Sequence, residues 1–108
     1  MKVYFTASVS GKTKFEPAYV KIVDLLKSMG LEVFSDHILK NNPDRISLQS
    51  DKERVKYYQR MIEMISKSEL VVAEISTSSL SVGHEITIAL DKGKTVIALT
   101  KRGSLQTS

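Results

Sequence analysis

The sequence predicts an α/β fold: a doubly wound, flavodoxin-like or Rossmann-like parallel sheet in three α/β/α layers, with strand order 2-1-3-4. Three observations predict it. Short apolar runs alternate with amphipathic stripes in the order β-α-β-α-β-α-β, which implies a parallel sheet with helices on both faces. The run Leu70-Val71-Val72-Ala73-Glu74-Ile75 is apolar apart from Glu74, as in a strand buried on both sides. Right-handed crossovers then restrict such a chain to the doubly wound order.

Each element has its own signal. Val3-Tyr4-Phe5 reads as a short buried strand, followed by a polar loop from Thr6 to Thr13 that holds Gly11. Thr13 and Glu16 have capping-box spacing, so a helix is expected to start there, with Pro17 in its first turn. Phe15, Tyr19, Ile22, Leu26 and Met29 give its apolar face, and Gly30 its stop. Leu31-Glu32-Val33-Phe34 is the second strand. Residues 35–50, with Asn41, Asn42 and Pro43, form a polar connection long enough to be mobile or functional. Ser50 and Glu53 make a second capping box, and Val55, Tyr58, Ile62 and Ile65 supply the stripe behind it. After the strand Leu70–Ile75 and the turn Ser76-Thr77-Ser78-Ser79, a helix runs from about Leu80 to Lys92 and stops at Gly93. Thr95-Val96-Ile97-Ala98-Leu99 is the fourth strand.

Residues 1–108 are read as one domain, because a chain of 108 residues supports one core and not two. No cysteine is present, which excludes a disulfide framework, a thiolate metal site and a cysteine nucleophile. With His37 and His84 as its two histidines, no metal site is expected. The formal charge is +4, yet residues 1–92 hold 13 basic and 12 acidic side chains. The excess is Lys94, Lys101 and Arg102, a basic end that discourages edge pairing of the fourth strand. No basic stripe interleaves with aromatics, so nucleic acid is not the expected partner. No apolar run is long enough for a bilayer and no signal peptide opens the chain, so a cytoplasmic protein is expected.

Ligands of doubly wound sheets bind beyond the carboxyl ends of the strands, where the strand order reverses. Two loops meet there, Thr6–Thr13 and Ser76–Gly83. Ser8-Val9-Ser10-Gly11-Lys12-Thr13 places hydroxyls and a glycine ahead of a helix N-terminus, a setting for an anion or simply for helix capping. A Walker A loop would need glycine where Thr6 stands, which excludes an ATPase of that type. Glu85 is placed in the first turn of its helix, where the dipole favours its carboxylate by about 0.3–1 kcal/mol. That predicts an ionised group at neutral pH, either a nucleophile or ordinary helix design. His84 points about 100° away from it and reads as surface or rim.

The stretch Leu70-Val71-Val72-Ala73-Glu74-Ile75-Ser76-Thr77-Ser78-Ser79-Leu80-Ser81-Val82-Gly83-His84-Glu85-Ile86 resembles the signature of the nucleoside 2-deoxyribosyltransferase superfamily. It is most similar to the 2′-deoxynucleoside 5′-phosphate N-hydrolase branch. Tyr4-Phe5-Thr6-Ala7-Ser8-Val9-Ser10-Gly11 resembles that branch's first strand and phosphate loop. The resemblance implies that Glu85 is the nucleophile with Tyr4 beside it. It implies that Ser8, Gly11 and Ser79 bind phosphate, that Gly83 lets substrate approach, and that Asp36-His37 lines the base pocket. Ser10 stands where the family has an arginine, Ser81 where it has a glycine, and Met61 where it has a catalytic aspartate. The family also has a further helix and strand after the fourth strand, which 108 residues do not supply in full.

The function expected is cleavage of the N-glycosidic bond of a (deoxy)nucleoside 5′-monophosphate, by hydrolysis or base transfer, without cofactor and in a homodimer. The alternative is a nucleotide-binding or sensing module of the same fold, left without turnover by Met61 and Ser10. A flavin carrier fits less well, since no tryptophan is present to stack on a flavin. A phospho-acceptor receiver fits no better, since no acidic pair follows the first strand.

Overall fold

The computed structural model describes residues 1–39 and 50–100. Along them run β1 (Lys2–Ala7), α1 (Lys12–Ser28), β2 (Glu32–Phe34), α2 (Asp36–Leu39), α3 (Asp51–Lys67), β3 (Leu70–Glu74), α4 (Leu80–Asp91) and β4 (Thr95–Leu99). The sheet is parallel throughout, in the order β2-β1-β3-β4, as the alternating pattern predicts. Val3 pairs with Leu70 and Ala7 with Glu74, so β1 and β3 end side by side. Their loops therefore open at one rim of the sheet.

Side chains of a strand alternate between faces, and β1 divides the core accordingly. Val3, Phe5 and Ala7 pack with Val72 against Phe15, Tyr19 and Val23 of α1 and Ile38 of α2. Tyr4 and Val71 pack on the other face with Met61 and Ile65 of α3 and Ala89 of α4. Each such fully buried apolar side chain contributes roughly 1.5–3 kcal/mol. Glu74 breaks the apolar run of β3 and is 2% exposed. Its carboxylate is satisfied within its own turn, accepting from Ser76 N at 2.6 Å and Ser76 Oγ at 2.8 Å.

Several boundaries differ from the sequence reading. The helix expected from Thr13 begins at Lys12, with Gly11 as N-cap and no side-chain capping bond. Backbone bonds from Lys14 N and Phe15 N to Gly11 O start it two residues before the expected cap. Pro17 consequently lies inside the helix and not in its first turn, and the N–H it lacks leaves one helical bond unmade. Met29 caps the end of α1 and is 66% exposed, while Val23 takes the buried place expected of it. On α3 the capping box of Ser50 and Glu53 is present as expected. Its buried residues are Met61 and Ile65, whereas Val55 and Tyr58 face solvent. Strand β3 ends at Glu74, one residue short of Ile75, although Ile75 N still donates to Leu99 O. Gly30 and Gly93 stop α1 and α4 at φ +83° and +72°, the left-handed conformation expected of them.

Within the polar 35–50 connection, Asp36–Leu39 forms the short helix α2. The stretch with Asn41, Asn42 and Pro43 lies outside the described residues, as does the basic end at Lys101 and Arg102. Strand β4 is an edge strand whose Ile97 and Leu99 remain partly open to solvent. No helix among the described residues is long and apolar enough to cross a membrane.

Candidate active site

The rim above β1 and β3 gathers most of the residues singled out in the sequence. Tyr4 is fully buried on β1, and its hydroxyl donates to Glu85 Oε2 of α4 at 2.5 Å, across 81 residues of chain. Glu85 is 7% exposed. It is not in the first turn as expected: with Ser79 as N-cap it is the sixth helical residue, and no acidic group occupies that first turn. The helix terminus is therefore too far to govern its ionisation. Burial raises its pKa, against the opposing pull of hydrogen bonds from Tyr4 and of the His84 charge. The expected easy ionisation is thus replaced by a carboxylate whose charge is held against desolvation by a phenol. Tyr4 itself is pushed far above the ordinary phenol range, first by burial and then by the Glu85 charge, so it remains a donor. Thr6, on the same face of β1, is fully buried and favours the charged form of Glu85, though its Oγ1 meets no described residue at hydrogen-bond geometry.

His37 of α2 stacks on the Tyr4 ring with centroids 4.6 Å apart and planes 17° from parallel. Burial lowers its pKa to about 4, against the opposing influence of Asp36 and the Phe5 backbone, so the ring is neutral at neutral pH. Asp36 is exposed and lies outside this stack. His84, as expected, is exposed at the rim, where it stacks on Tyr58 at 5.7 Å and its Nε2 lies 3.3 Å from the Tyr58 hydroxyl.

The first loop is ordered by its own serines. Ser8 Oγ lies 2.8 Å from Ser10 Oγ and accepts from Gly11 N at 3.2 Å, while Ser8 O accepts from the Tyr19 hydroxyl at 3.0 Å. Gly11 is pressed against the second loop: an added Cβ would fall 2.9 Å from Thr77 Cβ and 3.0 Å from Tyr19 Oη. Only glycine permits that approach. The N-terminus of α1 has no side-chain cap; its leading amides turn to backbone carbonyls instead, Lys12 N to Val9 O and Lys14 N to Gly11 O, both at 3.1 Å. Lys12 is turned away from this loop, donating to Leu39 O at 2.6 Å and pairing with Glu16 at 3.1 Å. In the second loop Ser79 Oγ accepts from Val82 N at 3.3 Å, which caps α4 and leaves its O–H free to donate outward. At Gly83 an added Cβ would meet nothing within 4 Å, so the chain itself does not require glycine there.

Met61 is 7% exposed and packs with Tyr4, Val71 and Ile65, the core placement its neighbours on the helix predict. Two functional candidates escaped the sequence reading. Thr77 meets Gly11 only through tertiary packing, which leaves no local pattern. Tyr57 is half-buried on α3, and the Glu85 charge adds to burial in pushing its phenol up to about 12. Its signal was present: Tyr57, Met61 and Ile65 recur every four residues, one position out of register with the stripe chosen from Val55 and Tyr58. Among the described residues no three His, Cys, Asp or Glu side chains gather into a metal set. A separate cleft between α1 and the end of β4, lined in part by Phe15, Ile22, Glu74 and Leu99, includes none of the residues around Glu85.

No family model matches the chain. A protein of Methanococcoides burtonii, provisionally named 2′-deoxynucleoside 5′-phosphate N-hydrolase 1, is 30% identical over 99 residues, 92% of this chain and 80% of that protein. The 5-hydroxymethyl-dUMP N-hydrolase of Tetraodon nigroviridis is 31% identical over 108 residues, covering 96% of this chain and 72% of its own. Among solved structures, a 2-deoxyribosyltransferase of Bacillus psychrosaccharolyticus superposes with a TM-score of 0.77 at 16% identity, over 99% of this chain and 77% of that one. That last likeness establishes a shared fold. By the identity and extent of the first two, the chain belongs to the 2′-deoxynucleoside 5′-phosphate N-hydrolase family.

Proposed function

We propose that this protein cleaves the N-glycosidic bond of a (deoxy)nucleoside 5′-monophosphate, by hydrolysis or transfer of the base, with Glu85 as nucleophile. One observation carries the reading: a buried carboxylate held by the Tyr4 hydroxyl at 2.5 Å, at the rim where β1 and β3 end. The relatives support the substrate class, since both are named for N-hydrolysis of deoxynucleotides.

Such a reaction passes through an oxocarbenium-like state, and a carboxylate on one face of the sugar stabilises it and then bonds to it. In the first step a Glu85 oxygen bonds to the anomeric carbon, and the C–N bond breaks with its electron pair leaving on the base. In the second step water, or a second base, attacks that carbon and releases the Glu85 carboxylate. Tyr4 orients Glu85 and keeps part of its charge in place. Ser8, Ser10, Gly11 and Ser79 hold the 5′-phosphate through hydroxyls and backbone N–H groups, with the uncapped α1 terminus behind them. Gly83 gives the sugar access, and neutral His37, stacked on Tyr4, borders the base. A homodimer belongs to the same reading, supported by apolar Leu80, which is 93% exposed beside the site. So does a cytoplasmic location, where free nucleoside monophosphates occur.

The test is release of free base from deoxynucleoside monophosphates, followed by chromatography. Base release that survives Glu85→Ala at full rate would sink the assignment. The buried, apolar Met61 favours a second reading, a nucleotide-binding module without turnover. Calorimetric binding of a monophosphate with no base released would select it.

A further inference from the structure

The proposed reaction leaves a base with a developing negative charge, and no residue yet described supplies it with a hydrogen bond. Met61, the α3 residue packed against Tyr4, has no proton to give. Tyr4 has committed its hydroxyl to Glu85. Tyr57 is placed differently. It lies one helical turn before Met61, so the two share a face of α3. It is half-buried, and its phenol stands within the field of the Glu85 carboxylate, which helps to keep it protonated. Among the described residues its hydroxyl has no hydrogen-bond partner. The neighbouring Tyr58 is held on His84 of α4, which fixes α3 against the helix that carries Glu85. A protonated phenol, without a hydrogen-bond partner among the described residues, therefore lies on the α3 face whose Met61 packs against Tyr4.

We propose that Tyr57 is a catalytic residue that donates a hydrogen bond to the departing base. This rests on the N-glycosidase reading above. As Glu85 oxygen bonds to the anomeric carbon, the C–N electron pair passes to the base, and the Tyr57 O–H stabilises the charge that spreads over the base's ring nitrogens and carbonyl oxygens. The proton stays on Tyr57, because a phenol raised to about 12 is a weaker acid than a protonated nucleobase nitrogen of ordinary acidity. Water supplies the proton that finally neutralises the free base.

The experiment compares Tyr57→Phe with the unaltered protein on two substrates. One is a deoxynucleoside 5′-monophosphate. The other is 4-nitrophenyl 2-deoxyriboside 5-phosphate, whose leaving group departs without help. Removing a hydrogen bond aimed at developing charge costs about 100-fold in kcat, so Tyr57→Phe should lose about that on the nucleotide and less than about 3-fold on the nitrophenyl substrate. Glu85→Gln should lose activity on both. Equal losses on both substrates would make Tyr57 a structural support and overturn the proposal, as would no loss on either. Failure of the unaltered protein to cleave either substrate would overturn the N-glycosidase reading and this proposal with it. Thermal denaturation of Tyr57→Phe, which keeps the ring, checks that the fold is intact.

Discussion

Replacing Tyr4 with phenylalanine isolates the interaction on which the site depends. Tyr4 is fully buried, and phenylalanine keeps its ring, its packing with Ile65 and Val71, and its stack on His37. Only the hydroxyl that donates to Glu85 Oε2 at 2.5 Å is lost. A hydrogen bond to a charged group contributes about 1.5–3 kcal/mol, and one to a neutral group about 0.5–1.5 kcal/mol. The difference, about 1–1.5 kcal/mol, raises the Glu85 pKa by about one unit beyond its already elevated value, since one unit equals about 1.4 kcal/mol. The sign for stability follows. A carboxyl raised on folding costs nothing below its unfolded pKa, and the cost grows as pH rises through the folded value. Tyr4→Phe should therefore lose most stability at neutral and alkaline pH and least in acid. Carbon-13 NMR of glutamate side chains, with the Glu85 signal assigned from Glu85→Gln, measures the shift without reference to activity. A Glu85 midpoint that stays put or falls in Tyr4→Phe would refute this account of how the charge is held.

The other expectations follow from the two loops and α2. Gly11→Ala brings a Cβ to 2.9 Å from Thr77 Cβ, so the loops must part. It should cost about 1–3 kcal/mol in urea denaturation and weaken nucleoside monophosphate binding in calorimetry. His37, lowered to about 4, binds its proton less readily folded than unfolded. Stability should therefore fall as pH drops from about 6.5 toward about 4, by about 3 kcal/mol in total. Denaturation curves of His37→Phe should lack that part of the slope; an unchanged slope would mean that His37 is not the group responsible.

The sheet was readable in the sequence because its signals are local and redundant. Val3-Tyr4-Phe5 and Leu70–Ile75 are apolar runs bounded by polar turns, and chirality leaves little freedom in joining them. The capping box at Ser50 also stood as read. The one at Thr13 did not, because Gly11 is drawn against Thr77 and the helix starts from it. A pattern four residues long carries no trace of that tertiary contact. The stripe of α3 was misplaced for a related reason: Val55 and Tyr58 fit a helical period as well as Tyr57 and Met61 do, and only packing on Tyr4 decides between them. The family resemblance places Tyr4 beside Glu85, as the structure has it, but the local helix pattern misjudges how Glu85 ionises. The helical pattern places it near a helix terminus, whereas burial raises its pKa and a phenol on a strand 81 residues away opposes that rise.

The central claim is that Glu85 bonds to the sugar. Rapid quenching of the protein with a deoxynucleoside 5′-monophosphate, followed by proteolysis and mass spectrometry, tests it most directly. The account predicts a transient adduct of one deoxyribose 5-phosphate on the peptide containing Glu85, absent from Glu85→Gln. Base release with an adduct mapped to another residue would contradict it, as would an adduct that persists in Glu85→Gln.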